Sequence, residues 1–173
     1  MFPIKTDLMT KYQDVFEGVG RLPGIHKIHV DENVKPGVHP AKNVPIKLRS
    51  KVKKELERME RDGIIERETN PTAWVSSMVT VVKPNGKVRI CLDPKDLNKA
   101  VKRQHYPLKT AEEVMSRMQG AKYFSKLDAV SSFWQIELDE ESSKLCTFNT
   151  PYGRFKYKRL PFGIVSASEV MQC

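Results

Sequence analysis

Lys126-Leu-Asp-Ala-Val-Ser-Ser-Phe-Trp-Gln-Ile-Glu-Leu138 is a run whose two halves ask for different backbones. Tyr123, Phe124 and Leu127 are apolar or aromatic and follow Gly120, a good turn former, so the spacing predicts a strand leading into Asp128. The pattern then breaks into small and aromatic residues, and Gln135-Ile136-Glu137-Leu138 resumes an alternation of polar and apolar. A carboxylate where a strand gives way to a tight turn is well placed to leave the sheet and hold a hard cation such as Mg2+ through oxygen. The plainer assignment for a lone Asp there is a turn or helix cap.

Outward from that run, the composition sets bounds. The chain has 173 residues, 39% hydrophobic and 29% charged, which suits one domain with a sizeable core, or one domain plus a long arm, and argues against wholesale disorder. A net charge of +9 favours an anionic partner, and nucleic acid is the commonest, although a solvated basic surface would give the same figure. Cys91, Cys146 and Cys173 are odd in number and far apart, which speaks against a disulfide framework or zinc ribbon and for a reducing compartment. The longest apolar run, Met78 to Val82, is interrupted by Thr80 and far too short to span a bilayer. With no signal-peptide pattern at the start, the expectation is an intracellular, cytoplasmic protein with no membrane partner.

Residues 1–45 read as an extended arm. A short helix is expected through Leu8, Met9, Tyr12 and Phe16, and one strand over Ile25 to Val30, among frequent Gly and Pro. His26 and His29 have no partner pair at metal-ligand spacing and read as surface histidines. Ile46 to Asp62 is a strong helix: Val52, Leu56 and Met59 repeat at i, i+4, i+7, and Gly63 ends it. Its first turns carry Lys47, Arg49, Lys51, Lys53 and Lys54, by default a solvated face. Ile64-Ile65 can start a short strand.

Two β-branched runs, Val75 to Val82 and Lys87 to Leu92, flank Lys83-Pro-Asn-Gly86, whose Asn-Gly signals a hairpin. Lys83, Lys87 and Arg89 fall at its tip or along one face, an arrangement suited to a polyphosphate; lysines blunting an edge strand are the alternative. Asp93 to Asn98 reads as a helical turn with Pro at its first position. Thr110-Ala-Glu-Glu113 is a capping box closed by Gly120, and Ser166-Ala-Ser-Glu169 looks like a second, opening a helix too short to stand alone. Between them, Asp139 to Ser143 reads as a polar turn, and Cys146 to Thr150 with Arg154 to Lys158 as a second hairpin.

Four blocks thus stand in fixed order: Val82 to Asn98, Lys126 to Ile136, Thr147-Phe-Asn-Thr-Pro-Tyr-Gly153 and Arg159-Leu-Pro-Phe-Gly163. Together they resemble the reverse transcriptase of gypsy-type LTR retrotransposons, and Tyr12 to Phe16, Leu22-Pro-Gly24 and His39-Pro40 resemble its lead-in. The resemblance implies an α/β (α+β) right-hand polymerase fold, fingers plus an incomplete antiparallel palm sheet. It divides the chain into a lead-in arm after the protease (1–45), fingers (46–119) and partial palm (120–173).

By resemblance, Asp128 is a metal-binding catalytic aspartate and Ala129 lends a backbone carbonyl to a metal. Phe133 packs under the incoming sugar and disfavours a 2′-hydroxyl, Arg89 and Lys83 grip the triphosphate, and Phe162 lines the nucleotide pocket. Two Mg2+ ions are implied in the complete domain, with Mn2+ as a substitute. The implied partners are an RNA or DNA template-primer, a dNTP and the remainder of a pol polyprotein (rest of palm, thumb, RNase H, integrase), in a particle in the intact element. The 173 residues contain no Tyr-x-Asp-Asp, the family's source of further catalytic carboxylates. The sequence reads as cut before that motif, so the isolated chain is expected to be inactive, since one carboxylate cannot hold two metals for in-line displacement. Ser131-Ser132, Ser168 and Glu169 also depart from the family pattern. The alternatives are a non-catalytic nucleic-acid-binding remnant and a decayed element without selected function.

Overall fold

The arm between the helical turn at Gln13–Phe16 and residue 45 threads into the body of the protein. The structure, a computed structural model, describes residues 10–103, 106–107, 109–126 and 128–172. Helix α1 (Gln13–Phe16) is a single turn with no buried residue, and the rest of the expected N-terminal helix, Leu8 and Met9, lies outside the described residues. The strand expected over Ile25 to Val30 is reduced to β1 (Ile25–His26). Beyond it, Ile28 is buried at 4% exposure, Val30 bridges to Val101, and Val38 bridges in parallel to Val75. His39 N donates to Val75 O (2.8 Å), and Asn149 Nδ2 donates to His39 O (2.8 Å). Val44 closes the arm inside the core. Gly and Pro set the punctuation that made this stretch look like a free arm, but its backbone bonds are made with elements distant in sequence.

Helix α2 (Ile46–Arg61) buries the stripe its spacing predicts, Val52, Leu56 and Met59. It stops at Gly63, whose φ of +68° is open to glycine at no steric cost. The strands that follow are β2 (Ile65–Arg67), β3 (Ser76–Val82) and β4 (Val88–Asp93), then short helices α3 (Leu97–Ala100) and α4 (Ala111–Arg117). The expected capping box of α4 is present: Glu113 N donates to Thr110 Oγ1 (3.2 Å) and Thr110 N to Glu113 Oε2 (2.9 Å). The strand expected before Asp128 is absent over residues 121–126, and Leu127 lies outside the described residues. Tyr123 and Phe124 are 89% and 68% exposed, so no partner sheet is present to reward extended backbone there.

After a 3₁₀ turn at Ser132–Gln135 comes β5 (Glu137–Leu138), which pairs in parallel with β1. The polar run Asp139 to Ser143 is not a turn but the start of helix α5 (Glu140–Leu145), with Asp139 accepting from Ser142 N at 2.8 Å as its cap. Its serines are buried because each has a backbone partner: Ser142 Oγ accepts from Ile28 N (2.7 Å), and Ser143 Oγ donates to Tyr157 O (2.6 Å). The second hairpin is β6 (Thr147–Thr150) and β7 (Gly153–Tyr157), followed by helix α6 (Ala167–Gln172).

The main sheet has the order β2-β7-β6-β3-β4. Its pairings are antiparallel except β3 with β6, which run parallel, so the expected antiparallel sheet is a mixed one. It draws strands from both sides of residue 120. Phe148, Phe155 and Tyr157 form its aromatic centre, with ring centroids 5.0 Å apart for Phe148–Tyr157 and 6.0 Å for Phe148–Phe155. Lys156, on the strand's opposite face, is also buried. Its ammonium lies 2.8 Å from Glu140 Oε1 and 3.2 Å from Glu68 Oε2. Burial alone would pull the lysine pKa down; the hydrogen bonds to Glu140 and Glu68 outweigh that and hold it above its ordinary value.

Candidate nucleotide site

The first hairpin displays its cations as alternation requires. Val88, Ile90 and Leu92 are buried, so Arg89 and Cys91 point to the other face of β4. Lys83 N donates to Lys87 O (2.8 Å) to close the hairpin, and Val81 lies opposite Arg89. Lys83, Lys87 and Arg89 therefore follow one another along the same face. Gly86, at φ +74°, supplies the left-handed residue the turn needs, and Asn85 Oδ1 accepts from Lys87 N (3.1 Å). Lys51 Nζ donates to Gly86 O (3.2 Å), tying the N-terminal half of α2 to the hairpin tip.

Three of the residues singled out in the sequence meet. The Arg89 guanidinium lies 4.9 Å from the Phe162 ring centroid, and Phe162 lies 4.9 Å from Phe133 at an interplanar angle of 57°. Trp134, buried, meets the Phe162 ring edge-on at 6.3 Å, and Arg58 covers Trp134 from α2 at 5.8 Å. Phe162 and Phe133 are half-buried, so the stack is a shelf with an accessible rim. A cation held over an aromatic ring gains ~0.5–2 kcal/mol and still presents guanidinium donors at its edge.

The shelf rests on two tight turns. Phe133 sits in the 3₁₀ turn entered through Ser131, a non-glycine residue at φ +49°, in the left-handed region where a side chain is strained by ~1 kcal/mol. Phe162 sits in the Leu160–Gly163 turn. Gly163 has φ +114°, and a Cβ there would lie 2.5 Å from Leu92 O, so only glycine lets the turn close on the end of β4. Asn98 clamps this turn from α3: its Nδ2 donates to Gly163 O (2.8 Å) and its Oδ1 accepts from Val165 N (2.9 Å). Nothing in the local sequence distinguishes Asn98 from any polar residue of a short helical turn, so its partnership shows only in three dimensions.

Asp128 and Ala129 are exposed in the loop before the 3₁₀ turn, and Asp128 makes no hydrogen bond or ion pair with the described residues. Its oxygens are open to a cation. Among the described residues, however, no three His, Cys, Asp or Glu side chains are grouped to hold one. The residues described thus fit one ligand of a metal centre and do not complete it. Lys83 shares the hairpin face with Arg89 but makes no cation–π contact with the shelf.

Two further expectations change. Glu169 does not complete a capping box: it is buried, and its carboxylate takes Arg103 Nε (3.0 Å) and Arg103 Nη2, because a guanidinium is a stronger partner for a desolvated carboxylate than a backbone amide. This pair pins α6, which the sequence alone left too short to persist. His26 is half-buried and packs near Asp139; burial and neighbouring His29 lower its pKa, and no metal cluster forms around it among the described residues. A cavity of about 530 Å3 lies elsewhere, walled in part by Lys27, His29, Glu32, Trp74 and Lys144; none of the candidate residues lines it.

Arg89, Phe162 and Phe133 thus form a shelf, and the exposed Asp128 loop precedes the turn that carries Phe133. The family model "Reverse transcriptase (RNA-dependent DNA polymerase)" matches residues 81–173. The chain is 37% identical over 149 residues to an uncharacterised protein of Caenorhabditis elegans, covering 84% of this chain and 12% of the relative. It is 31% identical over 134 residues to the retrovirus-related Pol polyprotein from transposon opus of Drosophila melanogaster, covering 74% of this chain and 13% of that one. The prototype foamy virus protease–reverse transcriptase shares the fold, with TM-score 0.80, 19% identity, and coverage of 96% of this chain and 23% of that one. A foamy viral protease–reverse transcriptase solved with double-stranded DNA gives TM-score 0.82 at 19% identity, covering 95% and 30%. This chain belongs to the reverse transcriptase family, and its α+β architecture is that of the reverse transcriptase polymerase fold. It spans about an eighth of the length of the Caenorhabditis and Drosophila relatives.

Proposed function

We propose that this chain is a fingers and partial-palm portion of an RNA-directed DNA polymerase within a Pol polyprotein, and that it binds the incoming dNTP on the Arg89–Phe162–Phe133 shelf. That stack is the observation that carries the reading. In it, Arg89 and Lys83 grip the triphosphate, and Phe162 forms the pocket wall. Phe133 packs under the sugar and disfavours a 2′-hydroxyl. A cationic clamp and positioning supply much of the stabilisation in nucleotidyl transfer. Asp128 and the Ala129 carbonyl would give oxygen ligands to a divalent ion, Mg2+ or Mn2+, of the pair that such a centre uses. The other ligands come from outside the described residues.

The template-primer partner is supported by the neighbouring structures, which hold double-stranded DNA and an RNA/DNA hybrid. It is also supported by Lys47, Lys51 and Lys54, exposed at i, i+4, i+7 on α2, whose first turn holds no acidic residue to offset them. Those lysines equally favour a second reading, binding of nucleic acid without catalysis. Primer extension with Mg2+ and dNTPs separates the two. Extension that Asp128→Asn abolishes establishes the polymerase. Salt-sensitive template-primer binding without extension, in a chain joined to a Tyr-x-Asp-Asp segment, establishes the binding module.

A further inference from the structure

Asn98 makes no hydrogen bond to Arg89, yet it holds the turn on which Phe162 is carried. Its amide uses both functions on one short stretch of backbone: a donor to Gly163 O at 2.8 Å and an acceptor from Val165 N at 2.9 Å. The amide is itself fixed, because Asn98 N donates to Pro94 O (2.8 Å) and the neighbours Leu97 and Ala100 are each 1% exposed. The turn also abuts Leu92 O, at the end of the strand that bears Arg89, where Gly163 leaves no room for a Cβ. The Phe162 turn is therefore held against both the β4 backbone and the Asn98 amide.

We infer that Asn98 is a positioning residue of the nucleotide pocket: it sets the Leu160–Gly163 turn so that Phe162 stays stacked between Arg89 and Phe133, and it acts on the nucleotide through Phe162. This rests on the proposed dNTP shelf and adds to it a residue of the α3 turn. The chemistry demands an amide. Aspartate keeps the acceptor for Val165 N–H but places a carboxylate oxygen against the Gly163 carbonyl; leucine has the same shape and neither function.

The test uses the full chain in a Trp74→Phe background, so that Trp134 alone reports on Phe162. Three quantities are measured for the parent, Asn98→Ala and Asn98→Asp: the near-UV dichroism of Trp134, the affinity for dTTP with Mg2+, and the affinity for a template-primer duplex. The expected result is a changed Trp134 band and dTTP affinity about tenfold weaker in Asn98→Ala, the scale of one or two lost hydrogen bonds, with duplex affinity unchanged. Asn98→Asp should weaken dTTP at least as much, because its carboxylate oxygen faces the Gly163 carbonyl, and it serves if the alanine variant does not fold. A merely structural clamp would weaken both ligands together or neither. If the parent binds dTTP and both variants bind it equally well, the role of Asn98 is overturned while the shelf stands. If the parent binds duplex but no dTTP, the shelf reading itself fails, and the positioning role falls with it.

Discussion

Residues 137–160 and the described residues of 109–130 meet the solvent in opposite ways. In the first region every regular element buries side chains: Phe148, Phe155, Tyr157 and Leu160 are at or below 1% exposure, and even Ser143 and Lys156 are enclosed with partners. In the second, α4 buries nothing, and Val114, Met115, Met118, Tyr123, Phe124 and Val130 are all exposed. Both regions carry apolar patterning in the sequence. The difference is that the first finds a sheet to pair with, while the second is held by a capping box and by local bonds such as Gln135 Nε2 to Val130 O. Apolar periodicity states which face an element would bury; only a partner surface makes that burial real.

The sharpest way to break this contrast is Phe148→Ala, at 0% exposure between two aromatic rings. It should cost ~3–5 kcal/mol in denaturant unfolding. A loss under ~1 kcal/mol would mean the sheet centre is far looser than its packing indicates. Next is Lys156→Met, which leaves Glu68 buried without its cation and should cost ~3 kcal/mol at neutral pH.

The same network sets an acid limit. The Asn70 backbone amide, with help from Lys156, holds Glu68 below its ordinary pKa, and the Lys156 hydrogen bond does the same for Glu140. Carboxylates with depressed folded-state pKa values contribute stability above their unfolded pKa and lose it as pH falls through the folded value. The contribution of this network should therefore be level near neutrality and be lost below about pH 4.3, and Glu68→Gln should flatten that part of the acid drop.

Smaller effects sharpen the other side. Thr110→Ala removes a cap worth ~1 kcal/mol, and that loss should show in hydrogen exchange of residues 111–117 while the global midpoint stays put. Met115→Ala, at 57% exposure, should change global stability by less than ~0.5 kcal/mol. A larger loss would show that the exposed face of α4 is packed in solution.

The sequence by itself determined the features whose causes lie within a few residues. The stripe of α2 and its glycine stop, the Asn-Gly hairpin, the Thr110–Glu113 box and the hairpin around Pro151 all appear as their local patterns require. It also named Arg89, Phe133 and Phe162, which the fold stacks together although they are spread over more than seventy residues. Only the tertiary structure decided the rest. Ile28 finds Ser142 across 114 residues, Arg103 finds Glu169 across 66, and Asn98 finds Gly163 across 65. Each of these polar partners is an ordinary Ser, Arg or Asn in its own neighbourhood. Its role arises because a buried donor or acceptor must be matched by whatever the fold brings alongside it, and that match carries no periodicity to read.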